Sequence, residues 1–379
     1  MRKVLYVIDS LQVGGAERSI FEISSGLERY TPVVCHIYLK DALKAAFIAA
    51  GVRVISLGVK GPYDFFRAGR KLLRVLKTER PDLVVGTLLR TELISRITCK
   101  LAGIPYVGTF VGNPYSSHLW TTLSPSLRLK KLFFKRLNIA TAGLCSGFIA
   151  NSMAIRAANC EVLRVPETKV HVIYRGRDAR FFSFQTHRFS PEKTRILAVG
   201  RLLRGKGYEE LVRAFALFVR QHRQATLTIA GEGPYKTELE NLIGELSLQG
   251  RVDMRGSVSD IPSLMHAHDL LAFASHSEGF SGTLVEAMLS GIPIVASDIP
   301  MNLEALTRNQ TATIFPVRDV NGLFEALLWV VGNQDEALAM CARARSEAQV
   351  RFDITAICAE HERFYDRFCR RDVPLSESV

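Results

Sequence analysis

The 379-residue sequence lacks the usual signals of secreted, metal-binding and membrane-spanning proteins. Its seven cysteines form no Cys-x-x-Cys pair and no Cys/His cluster at zinc-ligand spacing, which argues against a disulfide framework and favours a reducing compartment. No run of about 18 uncharged apolar residues occurs, so no membrane-spanning helix is predicted. The first apolar run ends at Asp9 without a small-residue cleavage site, and it predicts a buried strand rather than a signal peptide.

Acidic residues are also absent from residues 93–160, although cations continue through that stretch. The asymmetry extends to the whole chain, because residues 1–190 carry a net charge of +17 within a total of +12. This excess predicts that the first half faces an anionic surface or polymer. Solvated faces of ordinary helices are the alternative interpretation.

Short apolar runs alternate with segments of helical periodicity along most of the chain, a pattern typical of successive βαβ units with a parallel sheet. An irregular segment near residues 175–193 interrupts the rhythm, so we expect two doubly wound α/β domains joined there. From about Asn321 onward the pattern is helical. Ligands of such sheets bind outside the carboxyl ends of the strands. The predicted strands are Val4–Ile8, Val33–Tyr38, Val52–Leu57, Leu83–Val85, Tyr106–Phe110, Phe148–Ala150 and Val170–Ile173, then Arg195–Val199, Leu227–Ala230, Val252–Arg255, Leu270–Ala274, Ile294–Ala296 and Thr313–Phe315.

Two glycine-containing turns between a strand and a helix have the composition of anion sites. Gly14 and Gly15 follow the first strand, where a helix N-terminus offers unpaired N–H groups, although a tight turn without a ligand would look similar. In the second half, Arg201 and Lys206 leave a strand among three glycines. A guanidinium fork and a mobile ammonium at that position suit a diphosphate, and solvated loop cations are the alternative.

A pair of glutamates, eight residues apart, follows the strand Leu270–Ala274. Glu278 lies in a glycine-containing loop, where a carboxylate can accept hydrogen bonds from substrate hydroxyls. Glu286 lies near the start of the next helix, where it can bind a vicinal diol such as a ribose. The N–H groups between Gly279 and Leu284 are expected to face phosphates. Either glutamate alone could be a capping or surface residue.

Together, these segments resemble a family 4 glycosyltransferase along essentially the whole chain. The resemblance rests on Gly14-Gly-Ala-Glu17, Gly200–Gly207, Leu227–Pro234, Glu278-x7-Glu286 and Gly291–Asp298, and on His171–Asp178, where Arg175 and Arg177 depart from the family pattern.

The resemblance implies an α/β fold of the GT-B type: two Rossmann-like doubly wound domains face a central cleft, and a C-terminal helix crosses back to the first. The expected domains are residues 1–175, on the acceptor side and joined by a helix at about 353–379, and residues 176–352, which bind the nucleotide-sugar. It further implies transfer with retention of anomeric configuration and without a metal.

By matched position, the resemblance assigns roles to individual residues. Arg201 and Lys206 would neutralise the donor diphosphate, Glu278 would contact the transferred sugar, and Glu286 would hold the ribose. Gly15 would lie close to the donor phosphates. The other expected donor-binding residues are Gly279, Phe280, Thr283 and Leu284.

The acceptor side is less defined, because the histidine that many family members carry after the fifth strand of the first domain is missing. His118 or Asn113 could take that role, or neither, and Glu17 is a further acceptor-side candidate. No Asp-x-Asp sequence occurs, so the usual carboxylate pair for a metal-bound diphosphate is missing. We therefore expect no metal or other cofactor, with the cations stabilising the departing diphosphate.

Residues 126–137, Ser-Leu-Arg-Leu-Lys-Lys-Leu-Phe-Phe-Lys-Arg-Leu, form a basic amphipathic pattern. Leu129, Leu132, Phe133 and Leu137 share one helical face, as in a helix that lies in an anionic membrane interface. A core helix with a solvated basic face is the alternative.

The sequence thus predicts a cytoplasmic glycosyltransferase, either free in the cytoplasm or peripheral at the inner face of the membrane, that moves a sugar from a UDP- or GDP-sugar to a glycan or lipid-linked acceptor in cell-surface polysaccharide or glycolipid assembly. Rival hypotheses are a sugar-nucleotide epimerase of the same fold, a catalytically dead sugar-nucleotide-binding module and a nucleic-acid-binding protein. The last is disfavoured because no aromatic-interleaved basic motif occurs, so we expect no nucleic-acid partner.

Overall fold

The structure is a computed structural model that describes residues 1–61, 63–115 and 124–369. The chain divides into two compact units. The first contains Met1–Gly176 and the chain from Ile354 onward, and the second contains Arg177–Asp353. The sequence-based boundary between residues 175 and 176 lies one residue from this division.

The first unit is built on a seven-stranded parallel sheet with strand order β3-β2-β1-β4-β5-β6-β7. Helices lie between successive strands, and their apolar faces cover a core formed by the central strands. The strands are β1 Arg2–Ile8, β2 Tyr30–Tyr38, β3 Arg53–Val59, β4 Leu83–Thr87, β5 Tyr106–Phe110, β6 Gly147–Ala150 and β7 Val170–Val172. The helices are α1 Gly15–Gly26, α2 Lys44–Ala49, α3 Phe65–Glu79, α4 Leu89–Ala102, α5 Pro125–Ala142, α6 Met153–Leu163 and, from the end of the chain, α14 Ile354–Tyr365.

The second unit is built on a six-stranded parallel sheet with strand order β10-β9-β8-β11-β12-β13. Its strands are β8 Arg195–Val199, β9 Thr226–Ala230, β10 Val252–Gly256, β11 Leu270–Phe273, β12 Ile294–Ser297 and β13 Thr313–Phe315. Its helices are α7 Tyr208–Gln221, α8 Lys236–Glu245, α9 Ile261–His266, α10 Gly282–Ser290, α11 Pro300–Ala305, α12 Val320–Gly332 and α13 Gln334–Arg351.

The prediction of two doubly wound α/β domains is confirmed by these sheets. Every predicted strand is present, and β5, β8 and β13 have the predicted bounds. β2 begins three residues earlier, at Tyr30, because its backbone already pairs there with Arg2 at the start of β1. Within the described residues, no helix combines the length and apolarity needed to cross a bilayer.

Helix α14 packs on the first unit through polar as well as apolar contacts. The Glu362 carboxylate accepts backbone hydrogen bonds from Glu28 and Arg29, at 2.8 and 2.6 Å, just beyond the end of α1. The Tyr365 ring lies edge-on to the rings of Tyr6 and Tyr30. The last helix is thus part of the first core although it is distant in sequence.

A buried ion pair joins three elements of the first unit. Arg96 and Glu92, one turn apart on α4, form a salt bridge with both side chains at most 6% exposed. Glu92 also accepts the Thr109 N–H of β5 at 2.7 Å, and Arg96 donates to Asn138 Oδ1 of α5 at 2.5 Å. The pair therefore fixes α5 and β5 to α4.

The Arg96→Met substitution should lower the free energy of unfolding by about 3–5 kcal/mol, because it leaves the buried Glu92 carboxylate without its counter-charge. Urea denaturation, followed by circular dichroism, measures this change. The Glu92→Gln/Arg96→Met double variant should recover much of the loss, since the glutamine amide keeps an acceptor for Thr109 without a charge. Equal stabilities of the single variant and the wild-type protein would contradict the role given to this pair.

Candidate functional site

Two loops meet at the carboxyl edge of the six-stranded sheet. Residues 200–207 follow β8, and residues 274–281 follow β11, which is the neighbouring parallel strand. Parallel strands end at the same edge, so their following loops lie side by side. The backbone N–H of His276 donates to the Gly205 carbonyl at 3.0 Å and joins the two loops directly.

Lys206 and Glu278, both predicted catalytic residues, are in contact. Lys206 Nζ lies 2.5 Å from Glu278 Oε1, and the Ser275 hydroxyl donates to the same oxygen at 2.6 Å. The two charged side chains are 21% and 11% exposed, so the pair is accessible from solvent but largely enclosed. An ammonium has three N–H donors, so Lys206 can hold Glu278 and a second anion together.

Glycine is required at position 207, where the loop turns into α7. Gly207 adopts φ +68, in the left-handed region. A Cβ there would also collide with the Ala274 carbonyl oxygen of the neighbouring loop. The close approach of the two backbones therefore depends on the missing side chain.

Arg201, the third predicted catalytic residue, begins the same loop with an exposed side chain. It forms no ion pair within the described residues. Arg204 lies instead over the ring of Tyr235, with Cζ 5.3 Å from the ring centroid. The loop therefore presents Arg201 and Lys206, rather than Arg204, as candidate anion ligands.

The start of α10 corrects one expectation about free N–H groups. The Ser281 hydroxyl caps this helix by accepting the Leu284 N–H at 3.3 Å, so that amide is already bonded within the protein. Phe280 is 1% exposed, and its ring centroid lies 5.2 Å from that of Phe352, so this residue is part of the core beneath the loop. Gly279 and Thr283 are partly exposed at the same helix start.

Glu286, the predicted ribose ligand, is 3% exposed and forms an ion pair that the sequence reasoning missed. Arg177 Nε donates to Glu286 Oε1 at 2.7 Å, and the Arg177 side chain is itself buried. The signal was visible in the sequence as a departure from the family pattern at position 177, but its partner lies 109 residues away.

Gly15, which was predicted to lie close to the donor phosphates, and the acceptor-side candidates Glu17 and Asn113 lie near the carboxyl edge of the seven-stranded sheet. Gly15 opens α1, and the Arg175 guanidinium lies 3.0 Å from the point where a Gly15 Cβ would be. The Glu17 carboxylate folds back against Gly14. Asn113 follows β5, where its side-chain oxygen accepts the Tyr115 N–H at 3.0 Å, and His118 lies outside the described residues.

A cavity of ≈60 Å³ opens at this edge of the first unit. Its walls are the ends of β4 to β7 and one face each of α1 and α14. Apolar side chains such as Ile20 and Ile173 supply most of the lining, and Thr87, Thr109 and Arg175 supply polar atoms. Burial lowers the pKa of His361, on the α14 wall, to about 3, so its imidazole is neutral.

The described residues contain no group of three or more His, Cys, Asp or Glu side chains that could hold a metal ion. At the carboxyl edge of the six-stranded sheet, two cations and two carboxylates lie among glycine turns. Such a set can bind a diphosphate through Arg201 and Lys206 and hydroxyl groups through Glu278 and Glu286.

Comparisons with known proteins agree with the division of the chain into two units. Residues 13–181 match the model of Glycosyltransferase Family 4, and residues 179–348 match that of Glycosyl transferases group 1. An Escherichia coli UDP-Gal:alpha-D-GlcNAc-diphosphoundecaprenol alpha-1,3-galactosyltransferase is 25% identical over 311 residues, which cover 78% of this chain and 77% of the relative. A Mycobacterium tuberculosis glycogen synthase is 25% identical over 335 residues, covering 80% and 76%.

The crystal structure of Anabaena HepE in complex with UDP-glucose superposes with a TM-score of 0.82 at 22% identity, covering 97% of this chain and all of that one. The chain therefore belongs to the family 4 glycosyltransferases with a GT-B fold. Its class of activity is glycosyl transfer.

The Gly207→Ala variant should lose stability, because the added methyl group is strained at positive φ and pushes the two loops apart. We expect a loss of more than about 1 kcal/mol in unfolding free energy, measured by thermal denaturation. Gly205→Ala is the matched control, since a Cβ at Gly205 meets no atom within 4 Å. If both variants behaved alike, the tight contact at Gly207 would not be what shapes the site.

Proposed function

We propose that this protein is a retaining, metal-independent glycosyltransferase that moves a hexosyl group from a nucleotide-sugar, most simply a UDP-sugar, to a glycan or lipid-linked acceptor. The observation that carries the proposal is the contact between Lys206 and Glu278 at the carboxyl edge of the six-stranded sheet. A diphosphate and a sugar are adjacent parts of one donor molecule. A cation and a carboxylate in contact suit their junction.

The proposed chemistry follows from the charges of these groups. As the bond between the sugar and the diphosphate breaks, negative charge develops on the departing phosphate. Lys206 and Arg201 stabilise that charge by pre-arranged donors, which makes a metal unnecessary in this proposal. Glu278, held by Ser275 and Lys206, accepts hydrogen bonds from hydroxyls of the transferred sugar.

The choice of donor and acceptor is supported by proteins similar to this one. HepE was solved with UDP-glucose, and the Escherichia coli relative is named for transfer from UDP-Gal to a diphosphoundecaprenol-linked sugar. We therefore propose a UDP-sugar donor, bound by the second unit, and a glycan or lipid-linked sugar acceptor, bound by the first. In this proposal Asn113 and Glu17 lie on the acceptor side, and the nearby chain positions Val111 and Ala16 line the cavity of the first unit.

A lipid-linked acceptor would bring the enzyme to a membrane surface, and helix α5 has the composition for such contact. Leu129 and Phe133 are 70% and 63% exposed, beside the exposed cations Arg128, Lys130 and Arg136. In the last turns of α5, by contrast, Asn138, Thr141 and Ala142 are buried. Because the apolar side chains of the first turns face solvent, the alternative of a core helix with a wet basic face is disfavoured.

Helix α3 and the residues before it extend this surface. Tyr63 and Phe66 are 46% and 82% exposed, and the Tyr63 ring stacks with Phe134 of α5 at 6.1 Å. Lys130 Nζ lies 3.7 Å from the centre of the Tyr63 ring. Aromatic and cationic side chains in contact are typical of the interfacial region of anionic bilayers. We propose that this α3–α5 surface, of Tyr63, Phe66 and residues 127–136, binds the inner face of the membrane.

The Lys206→Ala and Glu278→Gln variants should each lose about a hundred-fold in kcat with the best donor, since each loses a group that acts on the breaking bond. Transfer is measured with a panel of UDP- and GDP-sugars in buffer with EDTA, which should leave the wild-type rate unchanged. Arg204→Ala is the matched control, because Arg204 is a cation of the same loop that packs on Tyr235.

Full transfer by either active-site variant would refute the site, and loss of activity with EDTA that a divalent metal restores would refute metal independence. An α-configured donor that gives a β-linked product would refute retention. Epimerised sugar nucleotide or free nucleotide, formed without acceptor, would favour the epimerase hypothesis instead.

The Leu129→Ser/Phe133→Ser variant should no longer co-sediment with liposomes that contain phosphatidylglycerol, because membrane affinity increases with inserted apolar area. Replacing Arg128, Lys130, Lys131, Lys135 and Arg136 by Gln should also abolish binding, at about 1 kcal/mol per charge.

Phe181→Ser is the control for general loss of exposed apolar surface, since Phe181 is 72% exposed in the second unit. Equal sedimentation of wild-type protein and both surface variants would exclude the α3–α5 surface as the membrane contact.

A further inference from the structure

The Arg177–Glu286 ion pair is buried within the second unit, and the backbone on its Arg177 side is anchored by hydrogen bonds. Arg177 and Glu286 are 4% and 3% exposed. The Arg177 N–H donates to the Phe352 carbonyl at 2.8 Å, and Arg177 forms a β-bridge with Asp353. The backbone from which the guanidinium extends is therefore fixed.

The other end of the pair is shaped to receive the guanidinium. Gly282 opens α10, and a Cβ at this position would collide with Arg177 Nη2. Glu286 is one turn further along the same helix. The first turn of α10 thus lacks a side chain where Arg177 passes, and Glu286 receives Nε at 2.7 Å.

A buried pair of this kind is weak evidence for stability, because apolar residues of similar volume often stabilise a fold as well. It has a clearer use at a binding site. A carboxylate that accepts hydrogen bonds from both hydroxyls of a diol must be ionised and held in one orientation. The guanidinium places a fixed positive charge beside Glu286, and its hydrogen bond to Oε1 sets the orientation of the carboxylate.

We propose that Arg177 is a positioning residue that orients Glu286 toward the ribose hydroxyls of the donor nucleotide. The inference rests on the proposed function and on the ribose role that the family resemblance implies for Glu286. Arg177 acts through Glu286 and is not assigned a contact with the nucleotide.

The test compares binding of UDP and 2′,3′-dideoxy-UDP by isothermal titration calorimetry. Wild-type protein should bind UDP about ten-fold more tightly than the dideoxy compound, as expected for a hydrogen bond to a charged group. The Arg177→Met variant should bind the two equally. The Arg177→Lys variant should recover little of the preference, since an ammonium cannot reproduce the Nε geometry.

Arg195→Met is the matched control in the same unit. Arg195 pairs with the buried Asp269 at 2.7 Å, at the opposite, amino-terminal edge of the same sheet. Burial would raise the pKa of Asp269, but hydrogen bonds from Arg195 and His187 hold it below its usual value, so this pair is also ionised. Arg195→Met should lower the melting temperature yet keep the ten-fold preference for UDP.

The outcomes separate the inference from the proposed function. If wild-type protein bound neither compound, the proposed function would fail, and the inference with it. If wild-type protein showed the preference and Arg177→Met kept it, only the inference would fail. Should Arg177→Met not fold, retention of the full preference by Arg177→Lys would overturn the inference in the same way. In transfer assays, the Arg177→Met substitution should raise KM for the donor about ten-fold and leave kcat nearly unchanged.

Discussion

The carboxyl ends of β8 and β11 are neighbours in one parallel sheet, and the rest of the site depends on that adjacency. The loops after the two strands are so close that position 207 admits no Cβ. The salt bridge between Lys206 and Glu278 joins one loop to the other. Lys206 and Glu278 are 72 positions apart in sequence. The pairing of the two strands is what brings this cation and this carboxylate into contact.

The fold could be predicted from the sequence because strands buried on both faces appear as continuous apolar runs separated by helical segments. The loops that bear the site could be predicted as well, since ligands of parallel sheets lie at the strand ends. The Arg177–Glu286 pair could not, because nothing local relates positions 109 apart. The Ser281 cap, by contrast, could have been predicted. A serine three residues before Leu284 is an ordinary N-cap signal, and it indicates that the Leu284 amide is hydrogen-bonded within the protein.

The two units use charge differently. In the first, the excess of cations is mostly on the surface, where α5 also exposes Leu129 and Phe133, and Arg96 is buried with its own counter-ion. In the second, whose net charge is slightly acidic, individual cations are placed at one sheet edge beside carboxylates. The net charge of the chain, +12, therefore says little about the candidate site, while its distribution separates an exposed basic surface in the first unit from individually paired charges in the second.

We propose that a nucleoside diphosphate binds at the carboxyl edge of the six-stranded sheet. Hydrogen–deuterium exchange of the full chain, with and without UDP in buffer containing EDTA, detects such binding. Bound UDP should slow exchange in peptides that cover residues 200–207 and 278–286, and it should leave exchange unchanged at the amino-terminal edge near Arg195 and Asp269. If saturating UDP left exchange unchanged in both 200–207 and 278–286, the nucleotide would not bind at this edge.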